Sequence, residues 1–105
     1  MMTFPGPDRG YTFKITLKLV EEVEQKHGSL YRIAEEVLNK NQPFSATVNL
    51  LKTIYRQAGF DGDDAVLEEF LFRQPCVEML TSFLLEILRP AEKLGAISPG
   101  EARTA

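Results

Sequence analysis

The chain has 105 residues, of which 44% are hydrophobic, and its 12 basic and 15 acidic residues give a formal net charge of −3. This composition is typical of one globular domain and excludes a disordered chain. The acidic excess argues against a general nucleic-acid binder, which would need a basic face. Its single cysteine, Cys76, excludes an internal disulfide and lies in an apolar run, so we expect a buried and inert thiol.

Organisation along the chain is simple. No apolar run is long enough to span a bilayer, and residues 1–10 hold three chain breakers and no apolar segment of the kind found in signal peptides. We therefore expect a cytoplasmic protein with no membrane partner. Residues 1–10 are expected to be a flexible lead, residues 11–89 a single helical domain, and residues 90–105 a partly disordered C-terminal tail.

The side-chain pattern changes at Thr16. Apolar and polar residues alternate over 11–16, which predicts a short strand that must pair or pack. Apolar residues then recur at helical spacing as far as Gly28. This spacing predicts a first helix over 17–27, with Thr16 as its N-cap and the glycine as its C-terminal stop.

Two further helices follow at similar spacing. The second is predicted over about 30–40, with Ser29 as N-cap and an apolar stripe that includes Leu38. The third is predicted over about 46–58, with Ser45 as N-cap and Gly59 as its stop.

The last two helices are predicted over about 64–73 and 75–89, the latter ending before Pro90. The fold class that follows is mainly α: four to five short helices in a compact bundle with a short N-terminal β strand.

Residues suited to catalysis or metal binding are scarce. His27 is the only histidine, and no HExxH, CxxC, glycine-rich phosphate loop or GxSxG motif is present. The acidic turn at 61–64 lacks an oxygen ligand at Ala65, so we interpret it as a helix cap and not as a calcium loop. The sequence therefore predicts a non-enzyme with no catalytic residue, cofactor or metal.

Glu24 and His27 lie three residues apart on the apolar arc of the first helix. A charge in such a place needs a partner. We expect the two side chains to pair with each other or to cap a neighbouring helix, with partner recognition and a general base or ligand site as the alternatives.

The fourth and fifth helices carry more apolar surface than a simple two-layer packing needs. One explanation is that the fifth helix is central and packs on several neighbours. Phe72 and Leu85 fit this explanation least well, and we interpret them as an exposed patch that a partner helix could cover. The candidate partner-binding residues are Phe72, Leu85, Leu71 and Glu24.

Several motifs follow one another in a fixed order. They are Phe13-Lys14-Ile15-Thr16-Leu17, Glu21-Glu22-Val23-Glu24, Gly28-Ser29-Leu30, then Val48, Leu51, Ile54 and Ala58-Gly59, and finally the apolar helix from Val77 to Leu88. In this order the chain resembles the tail assembly chaperones of phages and gene transfer agents, over about residues 11–89. It departs from that family in one respect, because the usual N-terminal β-hairpin is reduced to one strand in our prediction.

The resemblance implies a non-enzymatic function. Proteins of this family bind the long tape measure protein and keep it soluble while tail tube subunits polymerise around it, and they are absent from the mature particle. The implied partners are the tape measure protein, with the tail tube protein and a second copy of the chain as further candidates. No cofactor is implied, and the expected location is the host cell cytoplasm.

A small helix-turn-helix DNA-binding regulator is the alternative function. The third helix offers four side chains that could contact bases, namely Asn49, Lys52, Arg56 and Gln57. The acidic turn directly after it would repel the phosphate backbone, so nucleic acid is not the expected partner.

Overall fold

Two short strands precede five helices in the part of the chain that the structure describes. This computed structural model describes the backbone of residues 1–97 and the side chains of residues 1–88. In chain order the elements are β1 (Met2–Pro5), β2 (Gly10–Phe13), α1 (Leu17–His27), α2 (Leu30–Leu38), α3 (Phe44–Gln57), α4 (Asp64–Leu71) and α5 (Cys76–Ile97). The expectation of a mainly α fold with a small N-terminal β element is confirmed.

The N-terminal β element is a complete hairpin, so the expectation of a flexible lead over residues 1–10 is wrong. β1 pairs with β2 in antiparallel register, with Met2 opposite Phe13 and Pro5 opposite Gly10. The strand predicted over 11–16 is shorter and ends at Phe13, which is paired with Met2. The run Pro5-Gly6-Pro7 indicated an unstructured segment, but it marks the end of an edge strand and its turn.

The inner face of the hairpin forms part of the core. Phe4 and Phe13 meet edge to face with ring centroids 5.4 Å apart, and Phe13 contacts Phe83 of α5. The Tyr55 hydroxyl of α3 donates a hydrogen bond to the carbonyl of Pro5, and burial raises the pKa of this phenol. The hairpin is therefore fixed to two helices by aromatic packing and one partly buried hydrogen bond.

The central helix of the bundle is α3. One explanation of the extra apolar surface on the fourth and fifth helices required the fifth helix to be central, and the structure does not show that arrangement. α3 packs against α1, α4 and α5, whereas α5 packs mainly against α2 and α3. Apolar and threonine side chains are buried on more than one side of α3: Thr47, Val48, Leu50, Leu51, Thr53, Ile54 and Tyr55. Since α5 does not need all of its apolar arc for internal packing, part of that arc remains exposed.

The caps predicted for the first two helices are confirmed. The Thr16 hydroxyl accepts from the Leu19 N–H at 3.2 Å, and the Ser29 hydroxyl accepts from the Tyr31 N–H at 3.2 Å. Gly28 ends α1 with φ of 94°, a conformation that side chains with a Cβ rarely adopt.

The ends of α2 and α3 differ from the predicted ones. α2 stops at Leu38, two residues early, because Lys40 adopts φ of 57°. The Lys40 N–H then bonds the Val37 carbonyl at 3.1 Å and the Asn41 N–H bonds the Glu36 carbonyl at 2.8 Å, which is a Schellman motif.

Ser45 is not the N-cap of α3. That helix begins at Phe44 after Pro43, with no side-chain cap. The Pro43 carbonyl accepts from the N–H groups of Ala46 and Thr47, so the chain enters the helix one residue before the predicted cap.

The prediction that the last helix ends before Pro90 is also wrong, because α5 continues to Ile97. A proline inside a helix lacks one hydrogen-bond donor and often breaks the helix. Residues 91–94 are Ala, Glu, Lys and Leu, all strong helix formers that favour continuation. Residues 90–97 of the expected tail are therefore helical, and residues 98–105 lie outside the described residues.

Candidate partner-binding surface

The structure separates the four predicted partner-binding residues. Phe72 is 64% exposed and Leu85 is 49% exposed, as expected for surface contacts. Leu71 is fully buried because it faces the core from the last turn of α4, so its assignment to the surface is wrong. Phe72 and Leu85 line different depressions that share no residue, and they do not form one patch.

Glu24 has a structural role. One oxygen of its carboxylate accepts a hydrogen bond from the Leu30 N–H at 2.9 Å, at the first turn of α2. A carboxylate at this position satisfies a free backbone donor and interacts favourably with the helix dipole. The expected helix-capping role is therefore confirmed, and it occupies the side chain that we also considered for partner recognition.

His27 does not pair with Glu24. Its Nε2 lies 2.7 Å from the Thr53 hydroxyl on α3, and its carbonyl accepts from the Arg32 guanidinium at 2.6 Å. Burial, with a smaller effect from Lys26, lowers the pKa of the imidazole. The two residues are thus structural links between helices.

Leu85 belongs to an apolar groove between α2 and α5, which we call the α2–α5 groove. Its lining consists of Ala34, Val37, Leu38, Thr81, Leu84, Leu85 and Leu88. Almost all of this lining is apolar, and Leu38 is 78% exposed. The apolar spacing of the second helix assigns Leu38 to its core stripe, but Leu38 is the last residue of α2 and is exposed there.

The α2–α5 groove adjoins a second depression of about 320 Å³, with Val37 as the shared wall. The other residues that line it are Lys40, Gln42, Thr47 and Val77. Val77 is half exposed and precedes Leu84 by two helical turns, so it extends the same apolar face of α5. The apolar surface therefore runs along both helices, and Lys40 lies at one of its ends.

Phe72 forms a separate apolar surface with Phe44. The two rings stack with centroids 6.1 Å apart and planes 27° apart, and Phe44 is half exposed. Phe44 was missed because we began the third helix two residues later. Had the helix begun at Phe44, its spacing of four residues from Val48 and seven from Leu51 would have added it to the apolar stripe.

Two of the four side chains that could have contacted DNA bases, Lys52 and Arg56, are engaged in ion pairs. Lys52 is 17% exposed and pairs with Glu68 and Asp64, and Arg56 pairs with Asp64. The Arg56 guanidinium, followed by the Lys52 ammonium, lowers the pKa of the Asp64 carboxyl. The acidic turn thus connects α4 to α3, and it neutralises the cations that a recognition helix would need.

Groups suited to catalysis or metal binding are not clustered in the described part of the chain. No set of three or more His, Cys, Asp or Glu side chains there could hold a metal ion. Cys76 is buried, as expected, and its thiol donates to the Leu71 carbonyl at 3.0 Å. Burial raises the pKa of this thiol, so it is a poor nucleophile at neutral pH.

Within residues 1–97, no helix combines the length and the apolar character that crossing a membrane requires. No protein-family model, curated protein or solved structure matches the chain. The similarity to tail assembly chaperones therefore stays a prediction from sequence motifs.

Proposed function

We propose that the protein is a non-enzymatic tail assembly chaperone that binds a tape measure protein during assembly of a phage or gene-transfer-agent tail. The observation that carries this proposal is the α2–α5 groove, with Leu38 and Leu85 exposed along it. A tape measure protein is expected to be largely helical. Amphipathic helices bind in grooves of this kind by burying their apolar stripe between two helices.

The order of elements gives independent support. The family pattern begins with a β-hairpin, then a helix, a glycine and a second helix. The chain has β1, β2, α1, Gly28 and α2 in that order. The complete hairpin removes the one departure from the family that the sequence indicated.

The Phe44–Phe72 surface supports a second contact. Because it shares no lining residue with the α2–α5 groove, one chain could bind two partners at once. We assign this second contact to the tail tube protein or to a second copy of the chain. The proposed location is the host cytoplasm, and the proposed chaperone leaves before the particle matures.

The DNA-binding alternative receives less support from the geometry. α3 is the central helix of the bundle, and half of its 14 residues are buried. Lys52 and Arg56 are held in ion pairs with acidic side chains. A recognition helix needs its polar face free to enter a groove of DNA.

The test is co-expression with the tape measure protein encoded beside this gene. The proposal predicts that the soluble fraction of a tape measure fragment rises with the wild-type chain and falls again with Leu38→Gln plus Leu85→Gln. Leu17→Gln is the matched control, because Leu17 is 73% exposed and lies on α1, away from the groove. A chain that leaves the fragment insoluble would contradict the proposal, as would a gene neighbourhood with no tail tube or tape measure gene.

A further inference from the structure

The α2–α5 groove has acidic side chains along its borders. Glu35 lies three residues before Leu38 on α2, and Glu78 lies seven residues before Leu85 on α5. These spacings put each glutamate on the helix face that carries an exposed groove leucine. Both glutamates are exposed, and among the described side chains neither forms an ion pair.

Lys40 lies at one end of this surface. Lys40 lines the adjoining depression beside Val37 and Val77, where α2 ends. It follows the last turn of α2 and shares this depression with Val77, the residue before Glu78. A ligand lying along the groove would pass two glutamates that form no ion pair among the described side chains.

The walls of the groove favour a helical ligand over an extended one. A bound strand gains affinity from backbone hydrogen bonds to an open sheet edge. α2 and α5 are helices, whose backbone groups are bonded internally except at their ends. What the groove offers along its length is apolar side-chain surface, which suits the apolar stripe of an amphipathic helix.

We propose that the α2–α5 groove selects an amphipathic α-helix whose apolar stripe is bordered by lysine or arginine. This inference rests on the proposed function and specifies the segment of the partner that is bound. Basic residues beside the stripe would meet Glu35 and Glu78, and acidic residues at the same positions would be repelled. The groove would thereby reject most amphipathic helices with acidic borders, including those of unrelated cytoplasmic proteins.

The test uses two synthetic 18-residue helical peptides with the same leucine stripe at i, i+3, i+4 and i+7. One peptide has lysine beside the stripe and the other has glutamate. Binding to the full chain is measured by fluorescence anisotropy at low and high salt. Pairs at an exposed border are weak individually, so we expect the lysine peptide to bind about tenfold more tightly at low salt. The preference should shrink to about twofold in 1 M salt, because charges more than about 3 Å apart are then screened from each other.

Two matched double variants distinguish the effect of the border charges on peptide binding from the effect of the protein's net charge. Glu35→Gln plus Glu78→Gln should reduce the preference at low salt to about threefold or less. Glu21→Gln plus Glu86→Gln removes the same number of charges from exposed positions outside the groove and should leave it at about tenfold. Equal losses in the two double variants would overturn the inference, because the effect would then be one of net charge.

Three further results would overturn it. Unchanged binding of the lysine peptide to Leu38→Gln would show that the peptide binds elsewhere. Self-association of the wild-type chain that Leu38→Gln abolishes would identify a second copy as the occupant. A chain that solubilises the tape measure fragment but does not discriminate between the peptides would refute the inference and leave the proposed function standing. Discrimination without solubilisation would refute the function alone.

Discussion

Replacing Phe4 with alanine removes a ring that is 6% exposed and lies 5.4 Å from the ring of Phe13. Deleting a buried phenylalanine side chain costs about 3–5 kcal/mol of unfolding free energy. The hairpin lies near the start of the chain, where neighbours can relax into the space, so we expect the lower end, about 3 kcal/mol. For a domain of this size that loss corresponds to a fall in Tm of about 12–24 °C.

The assay is urea unfolding followed by circular dichroism, with thermal unfolding as a second measurement. Thr3→Ala is the control on the same strand, because Thr3 is exposed and bonds only the Thr12 hydroxyl across the hairpin, at 2.8 Å. We expect that control to lose less than about 1 kcal/mol. If Phe4→Ala also stays within about 0.5 kcal/mol of wild type, a value usual for surface changes, the hairpin is not part of the core.

Three further predictions concern stability. Lys40→Gly should raise the unfolding free energy by about 0.5–1 kcal/mol, because glycine adopts the positive φ of 57° without a Cβ clash; a destabilised variant would refute the Schellman geometry. Glu24→Ala should lower the unfolding free energy by about 1 kcal/mol, since the Leu30 N–H loses its acceptor, and partner binding by the folded variant should not change. The lowered pKa of His27 means that the unfolded chain binds its proton more readily, so stability is full above the unfolded pKa of about 6.5 and declines as the pH falls below it. His27→Gln, which can still bond Thr53, should remove this decline in urea titrations between pH 7 and 5; an unchanged slope would assign it to other groups.

The bounds of a helix were predicted well where the apolar stripe and the capping residues indicated the same range. α1 occupies the predicted range 17–27, because Thr16 and Gly28 each have a local reason to start or stop a helix. The end of α2 was less predictable, since Lys40 adopts a conformation usually taken by glycine. At Pro90, the proline favours the end of a helix, whereas the helix-forming residues that follow favour its continuation. The sequence alone does not show which of the two effects is stronger.

The hairpin was missed for a different reason. β1 has four residues, too few for alternation to distinguish it from a loop. Its strand conformation depends on pairing with β2 and on contact between Phe4 and α3. The contacts with α3 join residues that are about fifty positions apart in the chain, and a local pattern does not report them.

The candidate surface was predictable in part. Phe72 and Leu85 stood out because they lay outside a simple apolar arc, and both are exposed. Leu38 could not be recognised, because it fits the stripe of α2 as well as the buried Ile33 does. Which members of a stripe are covered depends on where the neighbouring helix lies, and that is fixed only by tertiary packing.

The most direct measurement of the central claim is the dissociation constant for a tape measure fragment, compared between Leu38→Gln and Leu17→Gln. Leu38 is 78% exposed in the free chain, so covering it fully in a complex contributes about 1.2–2.3 kcal/mol. The account predicts that Leu38→Gln weakens binding by about 7- to 50-fold and that Leu17→Gln leaves it unchanged. Equal affinities for the two variants, or no binding by the wild-type chain, would contradict the account.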